Sequence, residues 1–275
     1  MKLVYFLLFT LYCLISYAQP NCDAFTYYGD TLKYKACKKA EEIKGHYQFS
    51  KRYQEILDES IAIDSTFAYA YREKSTAYLK SGDFITWKQL IDKAVEHNFK
   101  ENLGYRGWCR YQFFKDYKGA IEDIEELENK VKFDIGTSAN GDYHLNIAKA
   151  LCYKAIGQKE KAIEIINKQL NSEDHFLGLY DYLHLGVLYF EQNEFEKAIE
   201  AFNKQTEDNE LAENQFYLAL TYKALKMPAD YKTHLNEAKT LYLDERKMFD
   251  PYTNPMDKIY FEDIEAELKE IANKN

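Results

Sequence analysis

The side chains of this 275-residue chain best suited to chemistry are six histidines (His46, His97, His144, His175, His184 and His234) and five cysteines. A zinc hydrolase needs two histidines one helical turn apart around a glutamate, and a zinc or redox site needs cysteines in close pairs. Neither HExxH nor CxxC occurs. His144 and His184 fall on successive helices of the same kind, but a lone histidine on a helix reads as hydrogen-bonded or exposed. GxSxG elbows, phosphate-cradling glycine loops and calcium loops are also missing. The acidic run Glu122, Asp123, Glu125, Glu126 and Glu128 reads as a solvated helix face. Carboxylates there lack the environment that separates two pKa values for acid–base work. The sequence therefore predicts no catalytic residue, no metal, no cofactor and a non-enzymatic role, although catalytic groups can converge from distant segments without a local motif.

The elements that would position any site are helical. Hydrophobic residues make up 46% and charged residues 29%, with only 11 Gly and 4 Pro. Such a chain buries a core but has too few turn residues for an all-β fold. The formal charge of −9 argues against nucleic acid, which requires a clustered basic face.

The first eighteen residues differ from the rest. Lys2 precedes an apolar run from Leu3 to Ala18, which closes on Ser16-Tyr17-Ala18 before Gln19-Pro20. A basic start, an apolar centre and small residues three and one before the break make an export signal cleaved near Ala18, rather than a membrane anchor. Neither Cys13 nor Cys22 follows the small residue that lipid attachment needs. Nothing later is apolar enough to span a membrane, so the mature chain is expected to be periplasmic or secreted, without a span. In an oxidising compartment Cys22 and Cys37 are candidates to staple the N-terminal segment onto the first helix, a geometry that sequence alone does not fix. Cys109 and Cys152, inside helical patterns, read as small buried apolar residues.

A repeat organises the remainder. Tyrosines recur at Tyr78, Tyr111, Tyr153, Tyr189 and Tyr222, and nine residues after each stand Trp87, Ala120, Ala162, Ala198 and Tyr231. Both series step by 33, 42, 36 and 33. Each unit reads as a helix closed by the tyrosine, a short turn, and a second helix that opens on a small residue for close packing. Gly82 and Gly157 suit the turns, where a left-handed residue ends a helix, and Asn193 serves less well. The long step places an insertion near residues 135–142.

These landmarks resemble the tetratricopeptide repeat family, through Leu185-Gly186, Tyr189, Phe195, Ala198 and Phe202, and through Gly82-Asp83-Phe84 with Ala94. Gly107-Trp108 departs from the family's Leu-Gly, and Met227-Pro228 with Tyr231 departs further. A degenerate first unit spans about 34–65, with Tyr53, Leu57 and Ser60 in the second-helix slots. The resemblance implies an all-α, right-handed α-solenoid of five to six helix pairs, of the exported bacterial type. The expected layout is a signal peptide at 1–18, an N-terminal segment at 19–33, the repeat array at 34–247, and a turn with a C-terminal helix at 248–275. Tyr260, Ile264, Leu268 and Ile271 form one apolar stripe on that helix. It reads as an end cap on the last repeat, or else as part of a tail folded into the groove.

In this family the first helices line a concave groove that receives a peptide, helix or protein. The stripe about 130° from the packing face of each first helix gives the expected partner-binding residues: Tyr69, Arg72 and Lys80; Tyr105, Gln112 and Phe113; Ile147 and Lys154; Tyr180, Leu183 and Phe190. Aromatic anchors beside a few cations have the composition of binding hot spots and suit an amphipathic segment with acidic groups. The expected function is a non-enzymatic interaction module or adaptor for a protein or peptide partner. The alternative, a protein binding a glycan or peptidoglycan fragment through its aromatics, is less favoured because the stripe is more aliphatic than a site of aromatics flanked by Asp, Asn or Gln.

Overall fold

The computed structural model describes residues 20–173 and 177–273. The leader with its cleavage near Ala18, and His175, lie outside these residues. The described chain is all-helical and contains no strand; an isolated bridge pairs Thr137 with His144. It forms two compact units, the first ending at His97 and the second beginning at Asn98.

In the first unit a short α1 (Cys22–Tyr27) precedes α2 (Thr31–Glu41), α3 (Lys51–Ile63), α4 (Ala68–Ser81) and α5 (Phe84–His97). Successive helices pack on one another. Side-chain caps fix several of the starts. Asn21, Asp30 and Ser50 each accept from a backbone N–H in the first turn of the following helix, replacing a partner that the turn lacks. The core holds Ala36, Cys37, Ala40, Tyr53, Ile56 and Leu57. Ser60, buried in α3, donates to the Ala36 carbonyl at 2.7 Å, so a small polar residue ties the two helices together. Cys22 and Cys37 form a disulfide that closes fifteen residues and fastens α1 to α2.

The second unit contains α6 (Phe99–Cys109), which runs into a π-helical turn (Arg110–Phe114), then α7 (Tyr117–Lys130), α8 (Leu145–Ala155) and α9 (Lys159–Leu170). It continues with α10 (Asp181–Glu191), α11 (Phe195–Asp208), α12 (Ala212–Ala224), α13 (Pro228–Leu243) and α14 (Phe261–Asn273). The pairs are α6/α7, α8/α9, α10/α11 and α12/α13. The first helices also touch their counterparts in neighbouring pairs: α6 meets α8, α8 meets α10, and α10 meets α12. They therefore share one face.

The repeating landmarks have clear physical roles. The second-helix residues Trp87, Ala120, Ala162, Ala198 and Tyr231 are all buried. Gly186 is where α10 meets α11: a Cβ there would lie 2.4 Å from Phe202. The left-handed turn residues are Gly82, Lys115, Gly157, Asn193 and Lys226. They lie 33, 42, 36 and 33 residues apart, in step with the tyrosines. In three turns the tyrosine's own carbonyl, that of Tyr153, Tyr189 or Tyr222, accepts the N–H five residues on. This is the longer of the two bonds that close a Schellman turn.

The acidic run corrects one expectation. Asp123 does not lie on the solvated face of α7: it is buried, held by Arg106 at 2.7 Å and Arg110 at 3.1 Å. Burial pushes its carboxyl above the usual range, and Arg106 opposes that shift. Cys109 and Cys152 are buried and unbonded to other cysteines.

Candidate functional site

The inner face of the second unit carries residues of its own chain. After α13 the backbone turns back at Glu245, which has a left-handed φ of 61°. Residues 246–259, here called the strap, then run along the first helices before α14 begins. The Ala212 N–H at the start of α12 donates to the Arg246 carbonyl at 2.8 Å. The Met248 N–H donates to the buried Glu213 carboxylate at 3.0 Å, and the Ile259 backbone bonds Glu213 as well. Burial raises the Glu213 pKa, while these backbone partners oppose the shift. Just before α10, at its N-cap, the Tyr180 hydroxyl is hydrogen-bonded to the Phe249 backbone.

Two aspartates pin the strap. Asp250 accepts from Gln112 in the π turn of α6 at 3.1 Å, and Gln112 donates also to the Thr253 hydroxyl at 2.8 Å. Lys115, just beyond that turn, donates to the Asn254 carbonyl at 3.4 Å. Asp257 adopts a left-handed φ of 65° and sends its carboxylate inward. There Lys154 of α8 donates to Oδ1 at 2.6 Å, and His184 Nδ1 of α10 donates to Oδ2 at 2.7 Å. The three side chains are 6%, 8% and 0% exposed for Asp257, Lys154 and His184 respectively, so the cluster is dry. Burial alone would raise the Asp257 pKa, but the Lys154 ammonium and the His184 bond hold it below the usual carboxylate value. Lys154 also lies 3.2 Å from Glu191.

The expected groove residues divide between the units. Tyr69, Arg72 and Lys80 lie on α4 of the first. Burial raises the Tyr69 pKa, with the Glu73 carboxylate adding to the shift. The other eight lie in the second unit. Gln112, Lys154 and Tyr180 hold the strap, and Ile147 and Leu183 are fully buried. Tyr105, Phe113 and Phe190 are half-buried, with Phe113 edge-on to Trp108 at 5.5 Å. In the C-terminal region the strap lies against the first helices, and α14 packs Ile264 into the core of α12 and α13. The residues missed from sequence are the strap's own and Glu213. Phe249 and Tyr252 of the strap are 69% and 60% exposed.

His144 and His184 do not form a ligand pair, because His144 bonds Asp134 at 2.7 Å whereas His184 bonds Asp257. Among the described residues no cluster of His, Cys, Asp or Glu is arranged to hold a metal. Among them too, no helix is long and apolar enough to cross a membrane.

Helix pairs with left-handed turns, sharing a first-helix face, define an α-helical repeat protein of the solenoid class. The tetratricopeptide repeat family model matches residues 143–174 and 182–209, the segments that hold α8/α9 and α10/α11. A TPR repeat-containing protein of Methanocaldococcus jannaschii is 26% identical over 148 residues, 53% of this chain and 24% of the relative. The chain thus spans about a quarter of that relative's length. Among solved structures, PilW, described as a widely conserved type IV pilus biogenesis factor, superposes with a TM-score of 0.62 at 12% identity, covering 86% of this chain and 98% of that one. Pseudomonas aeruginosa pilF gives 0.59 at 14% identity, covering 90% and 97%. YrrB, described as a TPR protein with an unusual peptide-binding site, gives 0.53 at 16% identity, covering 70% and 94%. At these identities the likeness is one of fold.

Proposed function

We propose that the chain is a non-enzymatic interaction module whose first-helix faces receive an extended segment of a protein partner. The observation that carries this reading is the strap: the inner face of the second unit already binds non-helical polypeptide, through backbone bonds to Glu213 and charged contacts from Lys154 and His184. Tetratricopeptide folds mediate protein–protein interactions, and YrrB's description as carrying a peptide-binding site agrees with this use of the fold. Tyr69, Arg72 and Lys80 are the proposed contacts on the first unit. Tyr105, Phe113 and Phe190 are the proposed accessible contacts on the second, around Gln112, Ile147, Lys154, Tyr180 and Leu183. The leader-like residues 1–18 and the Cys22–Cys37 bridge support an exported, periplasmic or secreted setting, since disulfides persist in oxidising compartments.

The test is cross-linking capture from the native cell with the chain from Gln19 as bait. One protein recovered in near-stoichiometric yield, and lost with Tyr105→Ala plus Phe113→Ala while helicity is retained, is the expected result. Recovery undiminished in the double variant removes the assignment of this face.

A further inference from the structure

We infer that the strap is a stand-in ligand, and that the partner segment it excludes is a proline-containing peptide that presents two aspartates and two flanking apolar residues at the same spacing of anchors. The inference rests on the interaction-module reading and deepens it. Residues 246–259 are held as a bound peptide is held, by side chains of other elements far away in sequence: the Gln112–Asp250 and Lys154–Asp257 bonds span 138 and 103 residues.

The anchors define the chemistry. Met248 and Ile259 are fully buried at the two ends, and Pro255 is buried between them. Asp250 and Asp257 supply carboxylates to an amide and to a lysine–histidine pair. The pattern is an apolar residue, one spacer, Asp, four spacers, Pro, one spacer, Asp, one spacer and an apolar residue. The strap is not acidic as a whole, because Arg246, Lys247 and Lys258 accompany Asp250 and Asp257; recognition lies in the placed carboxylates, Asp250 on Gln112 and Asp257 on Lys154 and His184, and in Arg246 on Glu210. Proline lowers the entropy lost when such a segment is ordered.

The probe is a fluorescent synthetic peptide copying residues 244–260, titrated against the full-length chain. Wild type should bind it weakly, because the strap is in place. The Asp250→Ala plus Asp257→Ala chain, with its strap weakened, should bind at least about tenfold more tightly. Adding Lys154→Ala to that chain should reverse the gain, and a peptide with both aspartates changed to asparagine should bind neither chain. A strap-weakened chain that keeps its helicity and binds no better than wild type overturns the inference. Hydrogen exchange on wild type decides the matter independently of whether that variant folds. Local opening of the Met248 amide, faster than exchange in α8 and α10, supports a displaceable strap; exchange only through global unfolding overturns it. Partner capture without peptide binding would remove this inference and leave the interaction reading standing, whereas failure of both would remove both.

Discussion

At the scale of single residues, close approach and burial separate what the sequence displayed from what it concealed. Gly186 was legible because a small residue recurs where two helices of a repeat meet. The structure supplies the reason, a Phe202 ring atom 2.4 Å from where a Cβ would stand. Gly186→Ala should therefore lower stability by about 1–3 kcal/mol through overpacking, seen as a lower midpoint in urea with an unchanged slope. Pairing the change with Phe202→Leu should recover part of the loss. Lys154 was also legible, as a cation on the inner helical stripe, but its partner was not. Asp257 lies 103 residues away on a segment without periodicity, and a helical phase reports which side chains face inward rather than what meets them. Glu213 was missed for a related reason. On α12, where buried residues continue almost all round the helix, a buried glutamate leaves no pattern.

At the scale of elements, helix pairs were readable because their period is carried three times over, in tyrosines, in small residues and in turns. Only two of the five left-handed turn residues are glycine, so the third landmark was only partly visible. The π turn at the end of α6 and the course of the strap had no local signature. The strap's attachment also has a testable pH dependence. The Asp257 carboxyl titrates below its ordinary value in the folded chain. Its contribution is complete above the unfolded pKa of about 4 and is lost as pH falls through the lower folded value. Glu213, raised by burial, acts in the opposite sense on the fold: burying its ionised form costs stability as pH rises above the ordinary carboxylate range, while the Met248 and Ile259 N–H groups of the strap favour that ionised form. Exchange of the strap amides, corrected for intrinsic rate, should increase below about pH 4. Asp257→Asn should abolish that acid-induced increase. An unchanged acid profile in Asp257→Asn would assign the opening to another group.

At the scale of the whole molecule, the covalent cross-link belongs to one unit only. Closing a loop of about fifteen residues restricts the unfolded chain by about 3 kcal/mol. A six-residue α1 is too short to hold its helix without packing. Reduction, or Cys22→Ser, should therefore raise amide exchange in α1 to α3 while exchange in α8 to α13 stays unchanged. Equal loosening of both sets would show that the units unfold as one.

The strap is joined at both ends, to α13 and to α14, and this sets the terms of any competition for its site. A tethered ligand faces its site at an effective concentration in the millimolar range when the connection is short, whereas a free peptide is present only at its bulk concentration. A partner that matched the strap contact for contact would lose at micromolar levels by roughly a thousandfold. To enter, it must bring additional contacts elsewhere, such as to Phe249 or Tyr252, or be held nearby by a second attachment. If the strap is a stand-in ligand, the fold sets a threshold: weakly binding peptides would pass unrecognised, and only a partner bound at more than one point would gain access.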